Sequence, residues 1–303
     1  MSLKISKNVN LAEYTSWLVG GDAEYFCLPE TLEYLIQAVN FAKENKLQTT
    51  ILGSGSNVLI SDHGVPGLTI CLRRFSQLQS SIENNVLSVE ATSGVAKSEL
   101  LKLFLKHKIS PALFMAGLPG DVGGGVVMNA GVAESFMPRE FMELVDWIEV
   151  LKPDLQIVRY RKQDLQIRYR HTDGWQPGII TKVGMHWIID ADMTILDKVR
   201  EANKVRLSKQ PLDMPSCGSV FKNPDGHKAA QLIDRCGLKG FQIGDAQVSL
   251  KHANFIVNLN KAKAIDVWNV IQHVQKTVEI TTGVRLTTEV VRLGMWTPEK
   301  IEI

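Results

Sequence analysis

The sequence predicts an α+β chain of enzyme-like pattern, arranged in three blocks. Short apolar strand-like runs are mixed with amphipathic helices in no regular alternation. Turn-rich punctuation separates the blocks, and two glycine-rich stretches stand among them, one of them straight after an apolar strand. At 303 residues the chain is long enough for two or three domains and a sizeable core.

The first block, residues 1–67, carries a helix over Leu32–Asn45 with Leu32, Leu35, Ile36 and Val39 on one face. A strand at Thr49–Leu52, the loop "GSGSN" and a strand at Val58–Ile60 follow, and "SDHGVPG" is dense enough in turn formers to close the block. The second block, residues 68–195, mixes strands at Leu68–Leu72, Val86–Ala91, Leu144–Leu151, Ile157–Arg161 and Ile179–Trp187 with a helix over Ala96–Lys108. The third block, residues 196–303, opens with a charged helix over Leu196–Leu207. A helix at His227–Cys236 that Gly237 caps, a strand at Ala253–Asn258, a helix at Ala264–Thr281 and a strand at Glu289–Leu293 complete it. Its last residues are expected to pack back on the first block.

Composition excludes several classes. A net charge of +2 gives no basic footprint for nucleic acid. No apolar run approaches the roughly 20 residues of a membrane span. The opening "MSLKISKNVNLAEYTSW" has no apolar signal region, so the cytoplasm is the expected compartment. Cys27, Cys71, Cys217 and Cys236 are scattered without CxxC spacing, which points to neither a metal site nor a disulfide framework.

The glycine-rich stretches carry the first functional signal. "GSGSNVLISDHG" sets Gly53 and Gly55 straight after a strand, where backbone can approach a ligand closely. It lacks the Gly-Lys-Ser/Thr ending of a Walker loop, and Val58 stands where a dinucleotide fingerprint needs its third glycine. A ligand loop and a plain strand-turn-strand both fit it. "AGLPGDVGGGVVMNAG" exposes the amides of Gly117, Gly120, Gly123, Gly124, Gly125 and Gly131, a grouping that binds anions well. Pro119 stiffens its turn and Asn129 offers a side-chain donor. Leu118, Val122, Val126, Val127 and Met128 make it hardly polar, so it is expected against something flat and apolar with a phosphate tail. In "PSCGSVFKNP", Ser219, Lys222 and Asn223 fit either a tight turn or a proton donor beside an anion site.

Taken in order, "TSWLVGG", "GSGSNVLISDHG", "GLPGDVGGGVVMNAG", "YR", "PSCGSVFKNP", "GDAQVSLKHANFIVN" and "TTEVVRLG" resemble the UDP-N-acetylenolpyruvoylglucosamine reductase (MurB) family. They cover most of residues 10–294. The resemblance implies a two-part FAD-binding domain of the vanillyl-alcohol-oxidase type, built from the first two blocks, and a separate α+β substrate domain. Arg170 and Ser219 lie only 49 positions apart, which is similar to the smaller class of the family, without an inserted tyrosine loop.

The implied activity is reduction of UDP-N-acetylglucosamine enolpyruvate to UDP-N-acetylmuramate, with NADPH as co-substrate and non-covalent FAD. Hydride passes from flavin N5 to the β-carbon of the enol ether and a proton reaches the α-carbon. Such chemistry needs a cation at the substrate carboxylate and an acid on the correct face. The family's catalytic residues map onto Arg170, Ser219 and Glu289. Arginine's planar fork fits a carboxylate, Lys222 is the local candidate to polarise Ser219, and Glu289 would orient Arg170 or share a proton with the developing enolate.

The resemblance further implies that Val19, Gly20, Gly21, Gly53, Ser54, Gly55, Ser56, Asn57, Gly117, Pro119, Gly120, Gly123, Gly124 and Asn129 line the FAD. Tyr169, Arg206, Lys209, Lys222, Asn223, Lys251 and His252 would hold the substrate, with Asn254 nearby, although His252 reads equally well as a structural histidine. Leu18, Asp121 and Asp245 depart from the family pattern, and Asp121 puts a negative charge near the expected pyrophosphate. Two rivals remain, an FAD-dependent oxidase of small alcohols or sugars and a nucleotide-binding module without chemistry. Small molecules are the expected partners, with no membrane, nucleic acid or obligate protein among them.

Overall fold

The computed structural model describes residues 3–132 and 137–296, so residues 1–2 and 297–303 of the expected outer blocks lie outside the described residues. The chain opens with β1 (Ile5–Asn10), β2 (Asp22–Cys27), α1 (Leu32–Glu44), β3 (Thr49–Leu52), β4 (Val58–Ile60) and β5 (Val65–Cys71). Four of these strands form one sheet in the order β1-β2-β5-β3, with β5 parallel to both its neighbours. Thr31 caps α1 by accepting from the Tyr34 amide, and Leu35, Ala38 and Ala42 face the sheet at helical spacing. The sequence does not announce β1 and β2, whose apolar alternation is interrupted by lysines, asparagines and acidic residues.

The strand expected to open the second block lies inside this first sheet. Pro66-Gly67 does not stop β5, because the extra residue is taken up as a bulge between Ala23↔Val65 and Tyr25↔Leu68. Gly67 sits there at φ 74° and donates its amide to Glu24. The sheet therefore continues past residue 67.

A five-stranded antiparallel sheet follows. Its strands come from β6 (Leu78–Glu83), β7 (Val86–Thr92), β8 (Val145–Leu151), β9 (Ile157–Arg161) and β12 (Ile179–Ile188), in the order β6-β7-β12-β8-β9. Three helices, α2 (Lys97–Lys106), α3 (Pro111–Met115) and α4 (Val122–Val127), cover it, joining Leu100, Phe104, Phe114 and Val126 to Leu87, Ile148 and Val183 in one core. A hairpin of β10 (Gln166–Arg168) and β11 (His171–Asp173) leaves only Tyr169 and Arg170 in its loop.

The remaining elements are α5 (Ile195–Lys209), α6 (Ala229–Arg235), β13 (Gln242–Ile243), β14 (Ala246–Val248), β15 (Ile256–Asn258), α7 (Ala264–Thr282) and β16 (Val291–Leu293). The α7 face of Val267, Val270, Ile271, Val274 and Val278 is buried in a core shared with the β13-β14-β15 sheet. Gly283 ends the helix in the left-handed conformation. Then β16 crosses back to pair in parallel with β4.

Trp17 joins that third core from the opposite end of the chain. It is fully buried, its indole N–H donates to the Ile256 carbonyl at 2.7 Å, and Asn258 Nδ2 donates to its own carbonyl at 2.9 Å. Trp17→Ala is therefore expected to cost about 3–5 kcal/mol, measured by urea unfolding, and to loosen the joint that shapes the cleft. Among the described residues no helix is long and apolar enough to cross a membrane, and no cluster could hold a metal ion.

Candidate functional site

A cleft of about 1770 Å³ lies among all three blocks. It is larger than the roughly 300–1,000 Å³ of a pocket for one drug-sized ligand. Arg170, Ser219 and Glu289, which the sequence scatters over 120 positions, all line it. So do Gly53, Ser54, Gly55, Ser56, Asn57, Gly117, Pro119, Gly123, Gly124, Tyr169, Arg206, Lys209, Asn223 and His252.

Each catalytic candidate is held by a different device. Arg170 occupies the second loop position of the β10/β11 hairpin at φ 56°, a left-handed conformation costly for a residue with a Cβ. Its guanidinium donates to the Gly131 carbonyl at 3.1 Å, stacks on Tyr169 at 4.7 Å and meets Glu289 Oε1 at 3.2 Å. A Cβ on Gly131 would lie 2.8 Å from the Arg139 carbonyl oxygen and displace the Arg170 guanidinium, so glycine keeps this approach open.

Glu289 is fixed through its backbone. Its amide donates to Val220 O at 2.8 Å and its carbonyl accepts from Asn57 Nδ2 at 2.9 Å. Burial raises the pKa of its carboxyl, while Arg170 and Lys222 pull it down.

Ser219 sits in an extended segment running between Asn254 and residues 287–289. Val220 N donates to Asn254 O, Phe221 N to Asn254 Oδ1 and Lys222 N to Thr287 O. Gly218 precedes it at φ 83°, where only the backbone angle, and not lack of space, demands glycine. Among the described residues the Ser219 hydroxyl has no hydrogen-bond partner, so it is free for a ligand.

That extended segment alternates, and the alternation corrects one expectation. Cys217, Ser219, Phe221 and Asn223 face the cleft, whereas Val220 and Lys222 do not line it. The Lys222 charge acts on Glu289 instead. Asn223 also spends its Oδ1 on the Ala229 amide at the start of α6. Asn254, buried and doubly bonded to Phe221, is the residue that sets the segment's register.

Six further residues expected at the cleft fall outside its lining. Val19, Gly20 and Gly21 pack on the β4 end: a Cβ on Gly20 would lie 2.9 Å from the Ile60 Cβ, and one on Gly21 would meet the Asp62 carbonyl. Asn129 is fully buried and exhausts its amide on Glu140, Arg168 and Met142. Lys251 reaches the Leu207 carbonyl at 2.6 Å and tethers the end of α5. Gly120, within the second glycine stretch, is at φ 95°. On α5, Arg206 bonds Gln210 at 2.8 Å and its pKa is lowered by burial. The His252 pKa is lowered too, by burial first and then by Lys239.

The second glycine stretch is not the open anion loop that its composition implies. It forms α4, capped by Asp121, whose carboxylate accepts from Gly124 N at 2.7 Å and from Ser54 N at 2.5 Å. The Val122, Gly123 and Gly125 amides go to Val95, Ser93 and Asp121 carbonyls. The glycines are there for packing, since a Cβ on Gly123 would lie 2.8 Å from Ser93 Cβ and one on Gly125 2.8 Å from Phe141. Asp121 is thus a cap that joins the two stretches.

The donors left over fit a phosphate-bearing cofactor. Among the described residues the amides of Gly55, Ser56 and Asn57 donate to no protein acceptor, and all three residues line the cleft. The buried Ser93 hydroxyl, unpaired among the described residues, lines it as well. Beside Gly120, the space a Cβ would fill lies 2.7 Å from Ser56 Oγ, 3.1 Å from Ser54 Oγ and 3.5 Å from Lys97 Nζ. Lys97, nearly fully buried, went unnoticed in the sequence because it sits in an amphipathic helix rich in lysine.

Comparison with known proteins agrees with this geometry. Residues 23–161 match the FAD binding domain family, and residues 210–293 match the family described as UDP-N-acetylenolpyruvoylglucosamine reductase, C-terminal domain. The UDP-N-acetylenolpyruvoylglucosamine reductase of Listeria innocua is 38% identical over 96% of both chains. That of Limosilactobacillus fermentum is 36% identical over 96% of this chain and 95% of its own. The crystal structure of the reductase from Thermus caldophilus superimposes with a TM-score of 0.77 at 30% identity, covering 97% of this chain and 99% of that one. With motifs, fold and cleft in agreement along the whole chain, it belongs to the UDP-N-acetylenolpyruvoylglucosamine reductase family.

Proposed function

We propose that the chain reduces UDP-N-acetylglucosamine enolpyruvate to UDP-N-acetylmuramate, consuming NADPH and a proton, as a step of peptidoglycan precursor synthesis. The observation that carries this is that Arg170, Ser219 and Glu289 line one cleft together with the glycine stretches, with Arg170 and Glu289 paired at 3.2 Å. FAD, when bound, supplies the hydride carrier between NADPH and the β-carbon of the enol ether.

The chain's own residues do the rest. The Arg170 fork receives the substrate carboxylate, onto which charge spreads as the β-carbon accepts hydride. Glu289 holds Arg170 in position through their ion pair. The Ser219 hydroxyl donates its proton to the α-carbon, completing the reduction of the double bond. Arg206 and Lys209, projecting from α5 into the cleft, take the diphosphate of the sugar nucleotide. In this reading the ligands are small molecules and the compartment is the cytoplasm.

The test starts from purified protein. It is expected to be yellow, to release its flavin into the supernatant on acid precipitation, and to oxidise NADPH rapidly only when the enolpyruvyl sugar is added. Flavin that stays in the pellet would mean covalent attachment. Oxygen consumption with a simple alcohol or sugar would instead favour an oxidase on the same fold, and a colourless protein that cannot be reconstituted would defeat the assignment.

A further inference from the structure

We propose that the Lys97 ammonium is the cation that receives the diphosphate of the cofactor, a role taken here by a buried side chain. The inference rests on FAD as the cofactor and concerns which group of this chain meets its charge.

The need for such a group follows from the site's hydrogen bonding. Four consecutive amides at the start of α4 are already committed, those of Val122, Gly123, Gly124 and Gly125. The same stretch brings the buried Asp121 carboxylate into the cleft wall, where it bonds Ser54 N and Gly124 N. An anionic diphosphate brought up to this wall would therefore meet a carboxylate at the very place where α4 has no amides to offer. A full positive charge nearby offsets that repulsion.

Lys97 is placed to supply it. Its side chain runs in beneath α4, and among the described residues only one of its protons has a protein acceptor, the Pro119 carbonyl at 2.9 Å. The passage exists because residue 125 is glycine, since a Cβ there would lie 2.9 Å from Lys97 Cε. The ammonium ends beside the Ser54 and Ser56 hydroxyls around Gly120, and the orphaned Ser93 hydroxyl lines the same cleft. Of these hydroxyls Ser54 Oγ donates to Ser56 Oγ at 3.4 Å, while Ser93 Oγ has no partner among the described residues, so the ammonium ends where donors converge without an acceptor for its charge. Burial draws its pKa down to about 8, against the opposing pull of Asp121, so the charge is held at a cost that a bound anion would offset.

The experiment is equilibrium dialysis of the full-length chain against FAD and against riboflavin, which has the same ring system and no phosphate. Lys97→Met removes the charge and the donor, while Lys97→Gln keeps a donor for the Pro119 carbonyl. Both variants are expected to raise the FAD dissociation constant by about 10- to 100-fold, the usual worth of a charge-assisted hydrogen bond, and to leave that for riboflavin within about twofold. Undiminished FAD affinity in either variant would overturn the proposal, because the charge would then not matter. Equal losses for both flavins would overturn it too, showing that Lys97 only shapes the wall. A parent protein that binds neither flavin would defeat the cofactor reading itself.

Discussion

Ser219→Ala is expected to leave the first half of the reaction intact and to stop the second. Reduction of the flavin by NADPH involves no enol ether, so its rate should stay near the parent's. Reoxidation by UDP-N-acetylglucosamine enolpyruvate should fall by ~10²–10⁴-fold, the usual contribution of a positioned acid. The structure sharpens the reason. Ser219 lies on the cleft side of an extended segment fixed by Asn254 and residues 287–289, and its hydroxyl has no partner among the described residues to hold it elsewhere. Folding should be unaffected, because the change removes one exposed oxygen and leaves Gly218 to set the turn. Ser219→Cys should recover part of the rate, since a thiol also donates a proton. Stopped-flow absorbance in the flavin band separates the two halves. An alanine variant reoxidised as fast as the parent would reduce Ser219 to a turn residue and move attention to Glu289.

Arg170→Ala and Glu289→Ala should slow the same half-reaction by ~10²–10³-fold, the typical loss on removing a group that stabilises developing charge. The two should not be additive, because each leaves the other without its ion-pair partner at 3.2 Å. Stability should respond differently. Arg170 holds a left-handed backbone angle, so Arg170→Gly is expected to be more stable than Arg170→Ala by roughly 1 kcal/mol while being equally inactive. Equal loss in both half-reactions with unaltered folding would instead assign the pair to positioning the flavin.

Much of the site was legible in sequence, but not the direction in which its side chains point. Lys222 stands three positions from Ser219, which made it the apparent activating charge, yet strand alternation turns it away and its field falls on Glu289. Asn129 looked like a spare donor and proves to be a buried structural clamp. The stretch "AGLPGDVGGGVVMNAG" reads as an exposed anion-binding grouping by composition, yet its residues 122–127 form a capped helix, whose glycines admit Ser93, Phe141 and Lys97 against its backbone. Pro66-Gly67 read as a terminator and is a bulge inside a continuing strand.

What the sequence determined by itself was local and ordered along the chain. Helical periodicity placed α1, α2 and α7, apolar runs placed most of the longer strands, and seven motifs in order carried the family and its chemistry. What only the tertiary structure decided was how distant stretches satisfy one another. Trp17 enters the core of the third block, β16 returns to β4, Asn57 holds the Glu289 carbonyl, and Asp121 spends its charge on both glycine stretches. The reason is that a buried donor, acceptor or charge must be matched by whatever the fold brings beside it. No sequence neighbour records which group that will be.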